Sequence, residues 1–149
     1  MRVGEYCNRE VVVTDRNTTL VETAKLMRRE HVGDVVVVEE RGGGRYPVGI
    51  LTDRDIVVEL IAEEVDLAIL LVGDCMAYEL ITAREEDDLF DTIKRMRDKG
   101  IRRLPVVGVG GTLVGILTVD DLIDLVAEQL TDLAKLIGHE RNLEWSRRA

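Results

Sequence analysis

Aromatic residues are scarce in this sequence, since Trp145 and Phe90 are the only tryptophan and phenylalanine among its 149 residues. The core must therefore be aliphatic, because hydrophobic residues still make up 46% of the chain and charged residues 33%. This balance is typical of globular proteins and excludes a disordered or fibrous chain. A chain of this length can bury about 70% of its unfolded surface, as one compact unit or as two small halves that share an interface.

Cysteine and histidine are equally rare. Cys7 and Cys75 occur without a CxxC motif and without a histidine at metal-ligand spacing, so neither a zinc site nor a disulfide framework is expected. We interpret both as small buried or half-buried thiols. Catalysis needs a positioned base or nucleophile, and the only histidines are His31, expected at a helix end, and His139, expected in the polar tail. We therefore predict that the protein is not an enzyme and has no metal site.

Long hydrophobic runs are also missing. No apolar stretch approaches the roughly 18 residues of a membrane span, and the N-terminal MRVGEYCNRE lacks the apolar segment of a secretion signal. These absences predict a cytoplasmic protein without a membrane partner. The net charge of −9 argues against nucleic-acid binding, because phosphate backbones require a basic surface. The basic stretch from Lys94 to Arg103, KRMRDKGIRR, is the one local exception.

Two nearly identical heptapeptides indicate an internal duplication. GILTDRD runs from Gly49 to Asp55 and GILTVDD from Gly115 to Asp121, an offset of 66 residues. Upstream, VGEYCNREVV at 3–12 aligns with VGDCMAYELI at 72–81 at an offset of 69. A repeat of this kind rarely buries its apolar face alone, so the two copies should pack on each other. We assign residues 1–66 to the first repeat, 72–130 to the second and 131–149 to a C-terminal helical tail.

The same order of elements is predicted in both copies: strand, helix, strand, glycine-rich loop, strand, helix. The fold class is therefore α/β. In the first copy we expect strands at Val11–Thr14, Asp34–Glu39 and Val48–Leu51 and a helix at Leu20–Glu30. The helices should begin with capping pairs, Thr19 with Glu22 and Asp88 with Asp91, and end at His31 and Gly100. The glycine-rich loops join strand to strand, so they indicate hairpin turns and not phosphate loops.

The GILT segments lie where a buried strand passes into a helix. Thr52 and Thr118, with Asp55 and Asp121 three residues later, form the pattern of a capping box. That interpretation leaves the preceding glycine unexplained, because a glycine within a strand indicates that something approaches the backbone closely. A carboxylate at such a corner can also accept hydrogen bonds from two neighbouring hydroxyls, as a ribose presents them. Both interpretations stay open at this point.

Taken together, the tandem copies, the order of elements, the segment IRRLPVV at 101–107 and the doubled GILTxxD resemble a pair of cystathionine β-synthase (CBS) domains. The resemblance extends from about Val3 to Val126. It implies a regulatory module in which two repeats pack about a pseudo-twofold axis. Two clefts between them would bind adenosine-containing ligands such as AMP, ADP, ATP or S-adenosylmethionine, as a regulatory ligand and not as a cofactor of catalysis.

The resemblance also implies the residues of each cleft. The first cleft would be formed by Thr52, Arg54, Asp55, Ile81, Thr82, Ala83, Arg102, Arg103 and Pro105. The second would be formed by Val12, Val13, Thr14, Gly33, Asp34, Val35, Thr118 and Asp121.

The two copies differ in charge at these positions. Arg102 and Arg103 align with Gly33 and Asp34, and Arg54 aligns with Asp120. Arginine binds phosphate through charge-assisted, often bidentate hydrogen bonds. We therefore hypothesise that a phosphorylated nucleotide prefers the first cleft, while the second is empty or takes an uncharged adenosine moiety. The alternative for the two arginines is a solvated strand edge that continues the basic face of the preceding helix.

Apolar residues continue at helical spacing into the tail, and they predict an amphipathic helix over 122–138. Its apolar positions are Leu122, Leu125, Val126, Leu130, Leu133 and Ile137. Such a stripe covers the core of its own chain or a second subunit, and we expect a homodimer in which the helices of two pairs meet. The effector protein is not identified by the sequence. An alternative function is a dimerisation or interaction module without a ligand.

Overall fold

The computed structural model describes residues 1–77 and 79–148. Each half of the chain forms a three-stranded sheet in which the first strand pairs parallel with the second and the second pairs antiparallel with the third. The predicted α/β class is confirmed. The strands are β1 (Val13–Thr14), β2 (Asp34–Arg41) and β3 (Gly44–Thr52) in the first sheet and β4 (Ala83–Arg84), β5 (Arg103–Val107) and β6 (Leu113–Thr118) in the second.

Helices connect and flank these sheets. They are α1 (Val3–Tyr6), α2 (Leu20–Glu30), α3 (Val72–Cys75), α4 (Leu89–Lys99) and α5 (Val119–Arg148), with a π-helical segment at Asp55–Ile61 and 3₁₀ turns at Leu67–Ile69 and Val109–Gly111. Helix α2 has the predicted bounds. Strand β1 is shorter than predicted, whereas β2 and β3 are longer, because the tight turn at Gly42 and Gly43, with φ of 55° and 82°, lets the ladder continue to Arg41 and Gly44.

The predicted caps are present. The Glu22 amide donates to Thr19 Oγ1 over 3.2 Å, and the Asp91 amide donates to Asp88 Oδ2 over 3.0 Å. At the C-terminal ends of α2 and α4, His31 and Gly100 adopt the left-handed conformation, with φ of 54° and 65°. These local signals fix where both helices begin and end.

Each half is completed by a short helix from the other half. Helix α1 packs on the second half, where the Val3 amide donates to the Asp87 carbonyl over 2.9 Å. At the equivalent position, α3 packs on the first half, where the Val72 amide donates to the Thr18 carbonyl over 2.9 Å. Val3 is buried in the core of the second half and Val72 in the core of the first. The exchange joins the two repeats, because neither core is complete without a segment of the other repeat.

The glycine that begins each GILT segment permits this exchange. A Cβ at Gly115 would lie 2.7 Å from Cys7 Sγ and 2.9 Å from the Asn8 carbonyl oxygen, closer than side chains can approach. A Cβ at Gly49 would likewise lie 2.8 Å from Met76 Sδ. The element that approaches the strand backbone is therefore the chain segment that follows α1 or α3. The half-buried thiols of Cys7 and Cys75 belong to these helix ends, and burial raises the pKa of both.

The two sheets also contact each other directly. Val36 and Val38 of β2 are buried together with Ile116 of β6. This third apolar cluster lies between the cores of the two halves, so the inner faces of both sheets are covered.

Helix α5 starts in the second half and continues without a break to Arg148, across the boundary at 130/131 that the sequence suggested between repeat and tail. From Val126 to Arg147 every residue of this helix is exposed. Among the described residues, no helix combines the length and the apolar character needed to cross a bilayer.

Replacing Gly115 by alanine tests the role of the glycine. We expect Gly115→Ala to lower the free energy of unfolding by about 1–3 kcal/mol, because the added methyl group overlaps the Asn8 backbone. Gly138→Ala is the matched control: a Cβ at this helical position meets nothing within 4 Å, and alanine should stabilise α5 by up to about 1 kcal/mol. Urea unfolding measures both. Equal behaviour of the two variants would contradict the role assigned to Gly115.

Candidate functional site

Two cavities of about 340 Å³ each lie where the repeats meet. The first cavity is lined by Ile50, Thr52, Asp55, Ala77, Glu79, Leu80, Ile81, Gly100, Ile101, Arg102 and Arg103. The second is lined by Asn8, Glu10, Val11, Val12, His31, Val32, Asp34, Ile116, Thr118, Asp120 and Asp121. Most residues of one cavity have their repeat equivalent in the other, as Thr52 has Thr118. The cavities are therefore two copies of one site, each built from both repeats.

The turn from β3 into the π-helical segment positions the polar wall of the first cavity. The Asp55 amide donates to Thr52 Oγ1, and the Thr52 amide donates to Asp55 Oδ2, both over 3.1 Å. This reciprocal pair is the capping box that the sequence predicts. It uses one carboxylate oxygen of Asp55 and leaves Oδ1 outside the capping pair. In the second cavity the Asp121 amide donates to Thr118 Oγ1 over 3.1 Å.

The structure brings together five of the residues predicted for the first cleft: Thr52, Asp55, Ile81, Arg102 and Arg103. The other four lie elsewhere. Arg54 is exposed at the start of the π-helical segment, and Thr82 lines a separate surface depression beside Arg95. Ala83 is buried in the core of the second half, and Pro105 is buried within β5.

The structure also brings together only some of the residues predicted for the second cleft. Four of them line the second cavity: Val12, Asp34, Thr118 and Asp121. Val35 is fully buried in the core, and Val13 packs against the cluster between the sheets. Thr14 is buried, with its hydroxyl 3.3 Å from that of Thr23, and Gly33 lies against the Asp53 carboxylate. Consecutive strand residues point to opposite faces of a sheet, so a run of three cannot all reach one cavity.

The residues that sequence reasoning missed come mostly from the segments after the exchanged helices. Glu10 and Glu79 are repeat equivalents in these segments, and each lines one cavity. The helix-ending residues His31 and Gly100 also line them. Glu10 and Glu79 are 69 residues apart, and so are His31 and Gly100. Once one residue of such a pair is known to line a cavity, the repeat offset therefore predicts that the other lines the second cavity.

Charge distinguishes the two cavities. The first has two guanidinium groups, Arg102 and Arg103, and two carboxylates, Asp55 and Glu79. The second is lined by four carboxylates, from Glu10, Asp34, Asp120 and Asp121, and by no lysine or arginine among the described residues. The same scaffold therefore offers one cavity with balanced charge and one that is strongly acidic. Despite this, no group of three or more His, Cys, Asp or Glu side chains in the described part of the chain is arranged to hold a metal ion.

An ion pair joins the two cavities. Arg103 Nε lies 3.7 Å from Asp34 Oδ1, although the two residues occupy equivalent positions in different repeats. Both side chains are largely shielded, with exposures of 29% for Arg103 and 18% for Asp34. Burial raises the pKa of Asp34, the neighbouring carboxylates Asp53, Asp120 and Asp121 raise it further, and Arg103 opposes them.

A family model for the CBS domain matches residues 3–62 and 72–128. The chain belongs to the CBS domain family. The two matched segments coincide with the two halves of the structure, and the resemblance to a tandem CBS pair is confirmed.

Similar sequences occur in archaea and bacteria. An uncharacterised protein of Methanopyrus kandleri is 37% identical over 123 residues, which cover 83% of this chain and 61% of that protein. The CBS domain-containing protein YhcV of Bacillus subtilis is 35% identical over 120 residues, 80% of this chain and 81% of that protein. The chain thus spans less than two thirds of the Methanopyrus relative.

Solved structures share the fold. The cytosolic domain of the Mg²⁺ channel MgtE in complex with ATP has a TM-score of 0.70 and 29% identity, covering 83% of this chain and 48% of that one. A CBS domain pair in complex with 5-methylthioadenosine and S-adenosyl-L-methionine has a TM-score of 0.75 and 24% identity, covering 87% and 98%. The second likeness shows the common CBS-pair architecture alone.

The raised pKa of Asp34 predicts how stability depends on pH. The folded protein holds the Asp34 proton more tightly than the unfolded chain, so ionising this residue costs stability as pH rises from the ordinary carboxyl range through the raised pKa. We expect Asp34→Asn to have a higher Tm than the wild type at neutral pH, with a difference that shrinks as pH falls toward about 4. Thermal unfolding between acidic and neutral pH measures this.

The control for this prediction is Asp98→Asn, which removes an exposed carboxylate paired with Arg97 on the surface of α4. Its Tm difference from the wild type should not depend on pH in the same way. A lower Tm of Asp34→Asn than of the wild type at neutral pH would show that the Arg103 pair outweighs the burial of the carboxylate.

Proposed function

We propose that this protein is a regulatory module that binds an adenosine nucleotide in the first cavity. One observation carries the proposal: a carboxylate at a helix start, Asp55, faces the same cavity as the guanidinium groups of Arg102 and Arg103 from the other repeat. The carboxylate can accept hydrogen bonds from the ribose hydroxyls, and the guanidinium groups can donate hydrogen bonds to a phosphate. CBS pair proteins are regulatory, which favours binding over catalysis.

Each part of the nucleotide has a matching wall. The ribose hydroxyls would donate to Asp55, whose Oδ1 is outside the capping pair, beside the Thr52 hydroxyl. The adenine would lie against the apolar wall of Ile50, Leu80 and Ile81. The phosphates would accept from the two arginines, where each hydrogen bond to a charged group contributes about 1.5–3 kcal/mol.

The comparison with MgtE supports this ligand class. The cytosolic domain of that channel was solved in complex with ATP, and it shares 29% identity with this chain. Two arginines in the first cavity favour phosphorylated ligands (AMP, ADP or ATP) over S-adenosylmethionine, which has no phosphate. All four of these compounds belong to the adenosine-containing class of ligands that the family resemblance implies.

The second cavity is a poor phosphate site for the opposite reason. Four carboxylates repel a phosphate inside a partly enclosed cavity, where charges are less screened than in bulk water. We infer that this cavity is empty or takes an uncharged adenosine moiety.

The response to the ligand would be transmitted to an effector protein or to self-association of the module. We infer a homodimer, because the apolar residues of α5 are exposed and a second subunit is the simplest cover for them. The cytoplasmic location predicted from the sequence is consistent with a nucleotide ligand and stays a prediction.

Calorimetric titration with ATP and AMP tests the assignment of the cavity. Asp55→Ala and Arg103→Ala should each weaken binding by about tenfold to a hundredfold, because each removes hydrogen bonds to a charged group. Asp121→Ala in the second cavity should leave the affinity unchanged, and so should Arg54→Ala, whose side chain is exposed outside the first cavity.

If Asp121→Ala abolishes binding while Asp55→Ala does not, the cavities are assigned the wrong way round. If no adenosine compound binds the wild type, the ligand-free interaction module replaces this proposal.

The ion pair between the cavities gives a second test, in which a substitution should strengthen nucleotide binding and not weaken it. Asp34 competes with a bound phosphate for Arg103, since its carboxylate lies 3.7 Å from Arg103 Nε. Asp34→Asn should therefore tighten ATP binding several-fold, roughly the effect of about 1 kcal/mol. AMP, with fewer phosphate charges, should gain less. Weaker binding of ATP by this variant would mean that Asp34 orients Arg103 for the ligand.

A further inference from the structure

The ion pair between Arg103 and Asp34 is the least exposed ion pair in the described part of the chain. Its side chains are 29% and 18% exposed, whereas those of the other pairs are at least 33% exposed. Surface ion pairs contribute little because water and salt screen them, and a shielded pair is screened less. A change of charge at either residue therefore acts strongly on the other.

The charged groups that face Asp34 act on it in opposite directions. Burial is the largest cause that raises the pKa of Asp34, and Arg103 of β5 is the one neighbour among the described residues that lowers it. Carboxylates from the turn after β3 and from the start of α5 raise the pKa further: Asp53, Asp120 and Asp121. Two further titratable residues, both exposed, line the same cavity: Glu10 and His31. The ionised form of Asp34 therefore depends on Arg103.

A phosphate in the first cavity would change this balance. Arg103 lines the first cavity and Asp34 lines the second, so a phosphate that accepts from Arg103 brings negative charge close to Asp34. If the guanidinium group turns toward the phosphate, Asp34 also loses its partner. In both cases the burial and the three neighbouring carboxylates remain, and a nearby like charge favours the neutral form of a carboxyl group. Asp34 should therefore take up a proton more readily in the complex.

We propose that binding of a phosphorylated nucleotide in the first cavity is coupled to the uptake of a proton by Asp34 at the second cavity. The proton comes from the solvent, the carboxylate becomes a neutral carboxyl group, and no bond of the nucleotide changes. Coupling between two binding events is reciprocal, so protonation of Asp34 in turn favours the nucleotide. The inference rests on the proposed function and adds regulation by pH to the same site.

The affinity for ATP should depend on pH with a definite sign. Asp34 holds its proton more tightly in the complex than in the free protein, so between these two titrations the complex carries more protons. The affinity should therefore rise as pH falls through that range, by up to about tenfold per pH unit when one full proton is taken up. The uncharged amide in Asp34→Asn resembles the protonated carboxyl group, and this variant should lack that contribution to the pH dependence.

Calorimetric titration of the full chain with ATP tests the coupling, at several values between about pH 4 and pH 7, above the ordinary aspartate pKa. Repeating each titration in buffers of different ionisation enthalpy gives the number of protons taken up per ATP bound. ATP titrates in this range as well, so the quantity compared is the difference between variants. The wild type should take up more protons than Asp34→Asn, by up to about one per site. Asp98→Asn, the matched control, removes a carboxylate paired with Arg97 outside both cavities and should behave like the wild type.

Equal proton uptake by the wild type and Asp34→Asn would overturn the coupling, and so would a smaller uptake by the wild type. A second measurement needs no variant: the NMR titration of the Asp34 carboxyl carbon should move to higher pH when ATP is added. An unmoved titration with ATP bound would likewise overturn the proposal. Failure of the wild type to bind ATP would refute the proposed function and this coupling together, whereas ATP binding without proton uptake by Asp34 counts against the coupling alone.

Discussion

The reciprocal exchange of α1 and α3 is the contact on which the rest of the structure depends. Val3 and Val72 are both fully buried, each in the core of the half to which its own repeat does not belong. The chain that follows each exchanged helix then lies along the last strand of the other half, where Asn8 and Ile116 exchange two backbone hydrogen bonds of 2.9 Å. These segments form walls of the two cavities. Each cavity is therefore shared between repeats as a direct result of the exchange.

Duplication provides two equivalent cavities, and divergence at a few positions gives them different chemistry. The position held by Asp34 in one copy is held by Arg103 in the other, and the two side chains meet as an ion pair between the cavities. A phosphate placed near Arg103 would compete with the Asp34 carboxylate for the same guanidinium group. The Arg103–Asp34 ion pair is therefore a direct electrostatic contact between a residue that lines one cavity and a residue that lines the other.

Helix α5 connects the second cavity to exposed apolar residues further along the same helix. Its first residues, Asp120 and Asp121, line that cavity, and the same unbroken helix carries Leu130 and Leu133 about two to three turns further on. The acidic cavity and these exposed apolar residues therefore belong to one continuous helix.

The sequence alone determined the features that depend on neighbouring residues and on the repeat. Apolar periodicity placed α2 correctly at Leu20–Glu30, and side chains that can bond to their own backbone identified the caps at Thr19 and Asp88. The doubled GILTxxD and its offset revealed the duplication, and with it the family and the two inter-repeat cavities. All of these signals arise within a few residues or by comparing the chain with itself.

Only the tertiary structure decided which residues face the cavities and why two glycines are required. Ala83, Pro105 and Val35 lie within or next to the expected motifs, yet long-range packing buries them. Gly49 and Gly115 are needed because a segment of the other repeat passes against each of them, a contact between residues far apart in sequence. The Arg103–Asp34 pair joins positions 69 residues apart for the same reason. Local patterns specify helices and turns, whereas contacts between distant segments exist only once the chain has folded.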